Sequence, residues 1–232
     1  MIDNKYLKHL IESPLVYYVY QRGSLIYGTN TQESDNDFLV VLDPTYKVPK
    51  EFKRYKVLNH QPNQVNYNIV YENCNFIFYS IDDWFKHVLN CDIDTWECAC
   101  LNKKFIYKEH IKLLMETNPL KLRLNFDSLR KNLESEAQIF FKRNDFKNAK
   151  KCYWYIIKSA MFTNQILENH KIVNFKEAEP YFNTLIEVEN DIDTIIALYN
   201  KLLDKPLCLL RKVTDGIKKQ YLINEFKKQN NG

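Results

Sequence analysis

Glycine is scarce in this chain, with four residues in 232. Neither G-x-G-x-x-G nor G-K-[ST] occurs, which excludes the two best-known glycine-rich phosphate loops. No apolar stretch approaches the roughly 18 residues that a membrane-spanning helix needs. The opening residues, MIDNKYLKHLIES, lack the basic, apolar and small-residue order of a secretory signal. Six cysteines (Cys74, Cys91, Cys98, Cys100, Cys152 and Cys208) follow no framework spacing. Cys98-x-Cys100, with Cys91 and His87 nearby, has no second ligand pair of the kind a structural zinc site requires. A cytoplasmic protein with free thiols and no membrane partner is expected. Excess charge is missing too. The net value is +4 with acidic residues interspersed throughout, which permits contact with a polyanion without demanding it.

What is present reads as an ordinary folded chain, 45% hydrophobic and 27% charged, long enough to bury a substantial core. The pattern predicts an α+β fold: a mixed β-sheet flanked by helices over residues 1–117, then an α-helical domain over 118–232. A short helix spans 5–12, and buried strands span 15–20 and 37–42. The segment 50–63 is expected to be irregular or lightly helical. Two more strands, 66–71 and 75–79, flank the turn Glu72-Asn73-Cys74. Ser80 then offers an N-cap, with Asp83 three positions on, and a second helix covers 94–101. Beyond the composition shift at Asn118-Pro119, two helices are joined around Arg143-Asn144-Asp145, and two more span 192–203 and 213–226.

Two of the four glycines fall in GSLIYGTNTQESDNDF, residues 23–38. Here Gly23-Ser24 breaks a buried strand, one turn of helix closes at Gly28, and Asp35 and Asp37 stand at the mouth of the next strand. Strand residues i and i+2 share a face, so the two carboxylates should point the same way. Like charges so placed call for a cation between them, and a divalent one suits the mouth of a buried strand. Hard carboxylate oxygens fit magnesium, which commonly takes one or two carboxylates together with substrate phosphates. Gly23 leaves room for a phosphate against the backbone. Ser24 adds a hydroxyl and the free N–H groups of a helix start. A phosphate cradle beside a metal seat is equipment for nucleoside triphosphate chemistry.

The combination of Gly-Ser, Tyr-Gly-Thr and Ser-Asp-x-Asp before an apolar run resembles the nucleotidyltransferase superfamily of DNA polymerase β type. Within it, the bacterial and phage predicted nucleotidyltransferase branch is the more similar. Residues 76–101, with Trp96-Glu97, and residues 147–167 are more loosely similar to that branch. The resemblance implies a magnesium-dependent, ATP-binding type of transferase. It would move a nucleoside monophosphate from a nucleoside triphosphate to an acceptor left open among protein, RNA and small molecules. Gly23 and Ser24 would hold the triphosphate, and Asp35 and Asp37 would bind magnesium, as one ion or two. The family's third carboxylate falls at Asn75 in this register, a neutral oxygen ligand to the metal, with Glu72 the candidate catalytic acid if the strand register is shifted. Where the family has a histidine near a basic residue in its later helix, this chain has Tyr153-Trp154-Tyr155. Lys151 and Lys158 on either side are the corresponding candidates for the nucleotide.

Other readings stay open. A catalytically inactive nucleotide-binding or partner-binding module of the same fold is favoured by Asn75, whereas the intact Ser-Asp-x-Asp favours the enzyme. The basic residues Lys142, Arg143, Lys147, Lys150 and Lys151 form either a solvated face or a contact for triphosphate or RNA. Tyr27 either packs in the core or stacks on a base.

Overall fold

The computed structural model describes residues 4–32, 34–49, 57–58 and 68–230. The chain divides into two compact units, residues 1–89 with 94–115, and residues 90–93 with 116–232.

The first unit is a six-stranded mixed sheet in the order β3-β4-β5-β2-β1-β6. Its strands are β1 (Val16–Arg22), β2 (Asn36–Leu42), β3 (Val57–Leu58), β4 (Asn68–Tyr71), β5 (Cys74–Ser80) and β6 (Ile106–Glu109). β2 is antiparallel to β1 and parallel to β5, so it lies in the interior of the sheet. Its run Phe38-Leu39-Val40-Val41-Leu42 is apolar at every position because both faces are covered. On one face Phe38 and Val40 join Phe76, Phe78 and Val19 beneath Tyr6, Leu7 and Leu10 of helix α1 (Lys5–Glu12). On the other, Leu39 and Val41 join Tyr18, Tyr20, Trp84 and Cys98. Trp84 comes from α3 (Ile81–Leu89) and Cys98 from α4 (Ile93–Ala99). Burying each large side chain contributes roughly 1.5–3 kcal/mol, so the double-sided packing of β2 anchors the unit.

Local signals explain most element ends. The Asn4 side chain accepts from the Leu7 N–H and starts α1, and Ser80 Oγ accepts from the Asp83 N–H at 3.1 Å to start α3. β6, antiparallel to β1, lies where the sequence offers no strand pattern, since its four residues are half-buried or exposed. Most of the expected irregular stretch 50–63 lies outside the described residues, as do positions 66 and 67 of the strand expected over 66–71.

The second unit is helical: α5 (Pro119–Lys142), α6 (Phe146–Asn169), α7 (Glu179–Glu187) and α8 (Ile192–Asn230). Asn118 caps α5, with Pro119 at its first position, and Asp145 caps α6. Arg143-Asn144-Asp145 joins them, with Asn144 in the left-handed region. The separate helices expected over 192–203 and 213–226 are one helix, α8, which continues through Pro206. There the Pro206 carbonyl accepts from Asn164 Nδ2 at 3.0 Å, so α6 supports α8 where proline removes a backbone donor. All six cysteines are free, as the sequence led us to expect. No helix among the described residues is long and apolar enough to cross a membrane.

Candidate active site

β1 ends at Arg22, and the next residue answers why glycine is placed there. Gly23 is buried with φ 83° and ψ −162°. A Cβ at this position would stand 2.2 Å from Asp37 Oδ2 and 3.0 Å from its Cγ. Any other residue would displace the carboxylate as well as strain the backbone. The single turn α2 (Ser24–Tyr27) follows, its start closed by the Ile26 N–H donating to the Gly23 carbonyl at 3.0 Å. Gly28, at φ 77°, ends it in the left-handed region, and its N–H returns to the Ser24 carbonyl.

The strand register sets three residues in a row across the sheet: Arg22 opposite Asp37, and Asp37 opposite Asn75. Alternation from Tyr20 and Leu39 places Arg22 and Asp37 on the face covered by Trp84. Asn75 Nδ2 donates to Asp37 Oδ1 at 3.0 Å, and Asn75 Oδ1 is buried without a hydrogen-bond partner. Turning this amide over would set oxygen against an ionised carboxylate, so the nitrogen faces Asp37 as long as Asp37 is charged. Asp35 is exposed, one residue ahead of the first residue of β2. Beneath these groups the Cys74 thiol is pushed up to about 11, first by burial and then by the charges of Glu72, Asp35 and Asp37.

Glu72 sits at the β4–β5 turn with φ 53°, and its Oε2 accepts from Asn4 Nδ2 at 3.2 Å. That bond ties it to the N-terminus of α1. Among the described residues no group of three or more His, Cys, Asp and Glu is placed to share a metal ion, so Glu72 is not gathered with Asp35 and Asp37. The structure thus joins Gly23, Asp37 and Asn75 directly.

A second set of groups, which sequence reasoning passed over, lies at the ends of the same turn. The Arg22 guanidinium hydrogen-bonds to Asp94 Oδ1 and lies 3.5 Å from Glu97 Oε2. The Tyr27 hydroxyl donates to that same Glu97 oxygen. Glu97 is 2% exposed and Tyr27 3%. Burial works against the Arg22 charge, but Asp94, Tyr27 and Glu97 outweigh it and hold the guanidinium well above its ordinary value. Tyr27 is therefore a core residue with a buried hydrogen bond, and stacking on a base is ruled out by its burial. The available signal was Arg22 itself, since an arginine closing an otherwise buried strand needs anions nearby.

The helical unit's candidates have different surroundings. Lys158 is buried in α6 with its ammonium 5.0 Å from the Tyr155 ring centre and 5.4 Å from that of Phe162. Lys151 is half-buried on the same helix. Lys150, expected in a basic face, is buried. Its Nζ donates to the carbonyls of Ile186 at 3.2 Å and Val188 at 2.6 Å, and to Asn190 Oδ1 at 2.9 Å. Lys142, Arg143 and Lys147 are exposed.

No family model matches this sequence, and no curated protein matches it. Among solved structures the chain is similar to a nucleotidyltransferase-like protein from Exiguobacterium sibiricum, at 10% identity and TM-score 0.30 over 93% of this chain and 78% of that one. It is also similar to an aminoglycoside 6-adenyltransferase from Bacillus subtilis, at 10% identity and TM-score 0.32 over 93% of this chain and 94% of that one. At these scores the likeness lends no weight to the site, whose reading rests on the residues described above.

Proposed function

We propose that the sheet unit is a magnesium-dependent nucleotidyltransferase that moves a nucleoside monophosphate from a nucleoside triphosphate such as ATP to an acceptor hydroxyl. The acceptor belongs to a protein, an RNA or a small molecule. One observation carries this reading: Gly23 and Asp37 share a single seat, with the carboxylate lying where a side chain on residue 23 would be. A polyphosphate bound along the Gly23–Ser24 backbone would lie beside the Asp37 carboxylate, and two like-charged partners can share that space only with a cation.

The donors suit magnesium. Asp37 and Asp35 offer hard anionic oxygens at the mouth of a strand, and the missing side chain of Gly23 lets the Asp37 carboxylate lie directly against the turn. When bound, the ion would withdraw charge from the phosphate oxygens and from the departing pyrophosphate. The chain's own contribution is binding and orientation. Backbone N–H groups of the turn and the Ser24 hydroxyl suit the triphosphate, and the aspartates fix where its charge sits. Asn75 holds one Asp37 oxygen through its amide N–H and cannot take a proton from the acceptor.

That same bond supports a second reading, a module that binds nucleotide or a partner without turnover. Calorimetry with Mg-ATP and a pyrophosphate-release assay separate the outcomes. Replacing both Asp35 and Asp37 by alanine should weaken Mg-ATP binding at least about tenfold, as loss of charge-assisted contacts implies. Unchanged binding would remove the metal role. Binding without pyrophosphate release against any of the three acceptor classes would leave the module.

A further inference from the structure

We infer that Glu97 is a positioning residue that holds the phosphate turn in register with Asp37, an inference that rests on the nucleotidyltransferase reading of that turn. One oxygen of a buried carboxylate on α4 meets both shoulders of the turn: Arg22, the residue before Gly23, and Tyr27, the last residue of α2.

The need for such a grip follows from how the turn is built. A four-residue helix has no stability of its own, because nucleation fixes several residues for a single hydrogen bond. Gly23 has no side chain with which to pack. The surface that would receive phosphates is therefore backbone whose position is set by its flanks. Those flanks converge on α4, where Asp94 and Glu97 stand three positions apart and so face the same way. Arg22 is also the cross-strand partner of Asp37. A shift of Arg22 therefore moves the turn against the carboxylate, whereas a shift of Tyr27 moves its far end. Glu97 itself is buried too deeply to touch a bound nucleotide, so its influence passes through these two residues. The charged pair is shielded from water, which makes the contact stiffer than a surface bridge.

The test is calorimetry of the full chain with Mg-ATP and, separately, with AMP, alongside thermal unfolding. The proteins are the wild type, Glu97→Gln, Tyr27→Phe, the double variant, and Asp37→Asn. Glu97→Gln should weaken Mg-ATP binding roughly tenfold while AMP affinity stays within about twofold, since AMP carries no polyphosphate for the turn to hold. Tyr27→Phe should show a smaller loss of the same kind. The double variant should be no worse than Glu97→Gln alone, because Tyr27 acts through Glu97. Additive losses, equal losses for ATP and AMP, or unchanged Mg-ATP affinity would each overturn the inference. If Glu97→Gln does not fold, Tyr27→Phe, which removes one hydroxyl, decides by the ATP-to-AMP comparison. Failure of the underlying reading appears elsewhere, as equal Mg-ATP binding by the wild type and Asp37→Asn with Glu97 intact.

Discussion

Arg22 in the sheet unit and Lys150 in the helical unit are both cations taken out of water, and their surroundings differ in kind. Arg22 faces two carboxylates, which raise it well above its ordinary value against the opposing effect of burial. Lys150 faces two backbone carbonyls and an amide oxygen, and burial lowers its pKa. Neutral acceptors satisfy an ammonium's hydrogens but return less of its lost hydration than anions do. Lys150 is a structural clasp that ties α6 to the C-terminal end of α7 and the residues just after it. Arg22 belongs to a connected set of charges that continues, through one backbone step, into the Gly23 turn. The difference separates two uses of a buried charge: closing a loop, and, under the proposed function, fixing the position of a ligand-binding turn.

The sharpest way to break this contrast is at Gly23. Gly23→Ala places a methyl group on the Asp37 carboxylate and strains a backbone at φ 83°, so about 3 kcal/mol or more of stability should be lost in denaturant unfolding. Adding Asp37→Ala should return part of that loss, and a double variant as unstable as the single would show that overlap with the carboxylate is not the cause. Next comes Lys150→Met, which keeps the stem and strands three oxygens in a buried site. A loss of about 2 kcal/mol is expected, with Mg-ATP affinity unchanged. A fall in affinity would move Lys150 from clasp to ligand site. The mildest test concerns pH and its neighbour Cys152, whose thiol is pushed up to about 12 by burial first and then by Glu136 and Asp145. In the unfolded chain this thiol ionises near its ordinary 9.0, whereas in the folded chain it keeps its proton. Its contribution is therefore complete below pH 9 and declines as pH rises from 9 toward 12, by up to about 1.4 kcal/mol per unit. Cys152→Ala should flatten that decline relative to the wild type, and an identical slope would remove the assignment.

Much of the sheet unit could be read ahead of its structure because its instructions are local. Gly23 and Gly28 bracket one turn, Ser80 caps α3, and the apolar runs of β1 and β2 announce strands covered on both faces. β6 and α7 escaped notice for the opposite reason. β6 is short and only partly covered, and α7 leaves one residue, Leu185, fully buried. The apolar pattern of 192–203 and 213–226 does not show that α8 runs unbroken between them, since nothing near Pro206 in sequence reveals that Asn164 meets its carbonyl. In the candidate site, the pairing of Gly23 with Asp37 was anticipated only as a shared neighbourhood, and the direct contact is new. The grip of Glu97 could not be read at all, since Tyr27 lies 70 positions from it and only packing brings the two together.

The parallel pairing of β2 with β5 also dictates when during synthesis this site can come into being. Gly23 and Asp37 meet across neighbouring antiparallel strands, but Asn75 reaches Asp37 only after a crossover of 38 positions has closed. Parallel pairing through so long a connection carries a large loop entropy and forms slowly. A ribosome-tethered chain halted before residue 74 would therefore display the glycine turn and both aspartates without the Asn75 amide that holds Asp37. Translation must run past α4 before Arg22 finds its acids, so the whole arrangement around Gly23 should be completed in one late step.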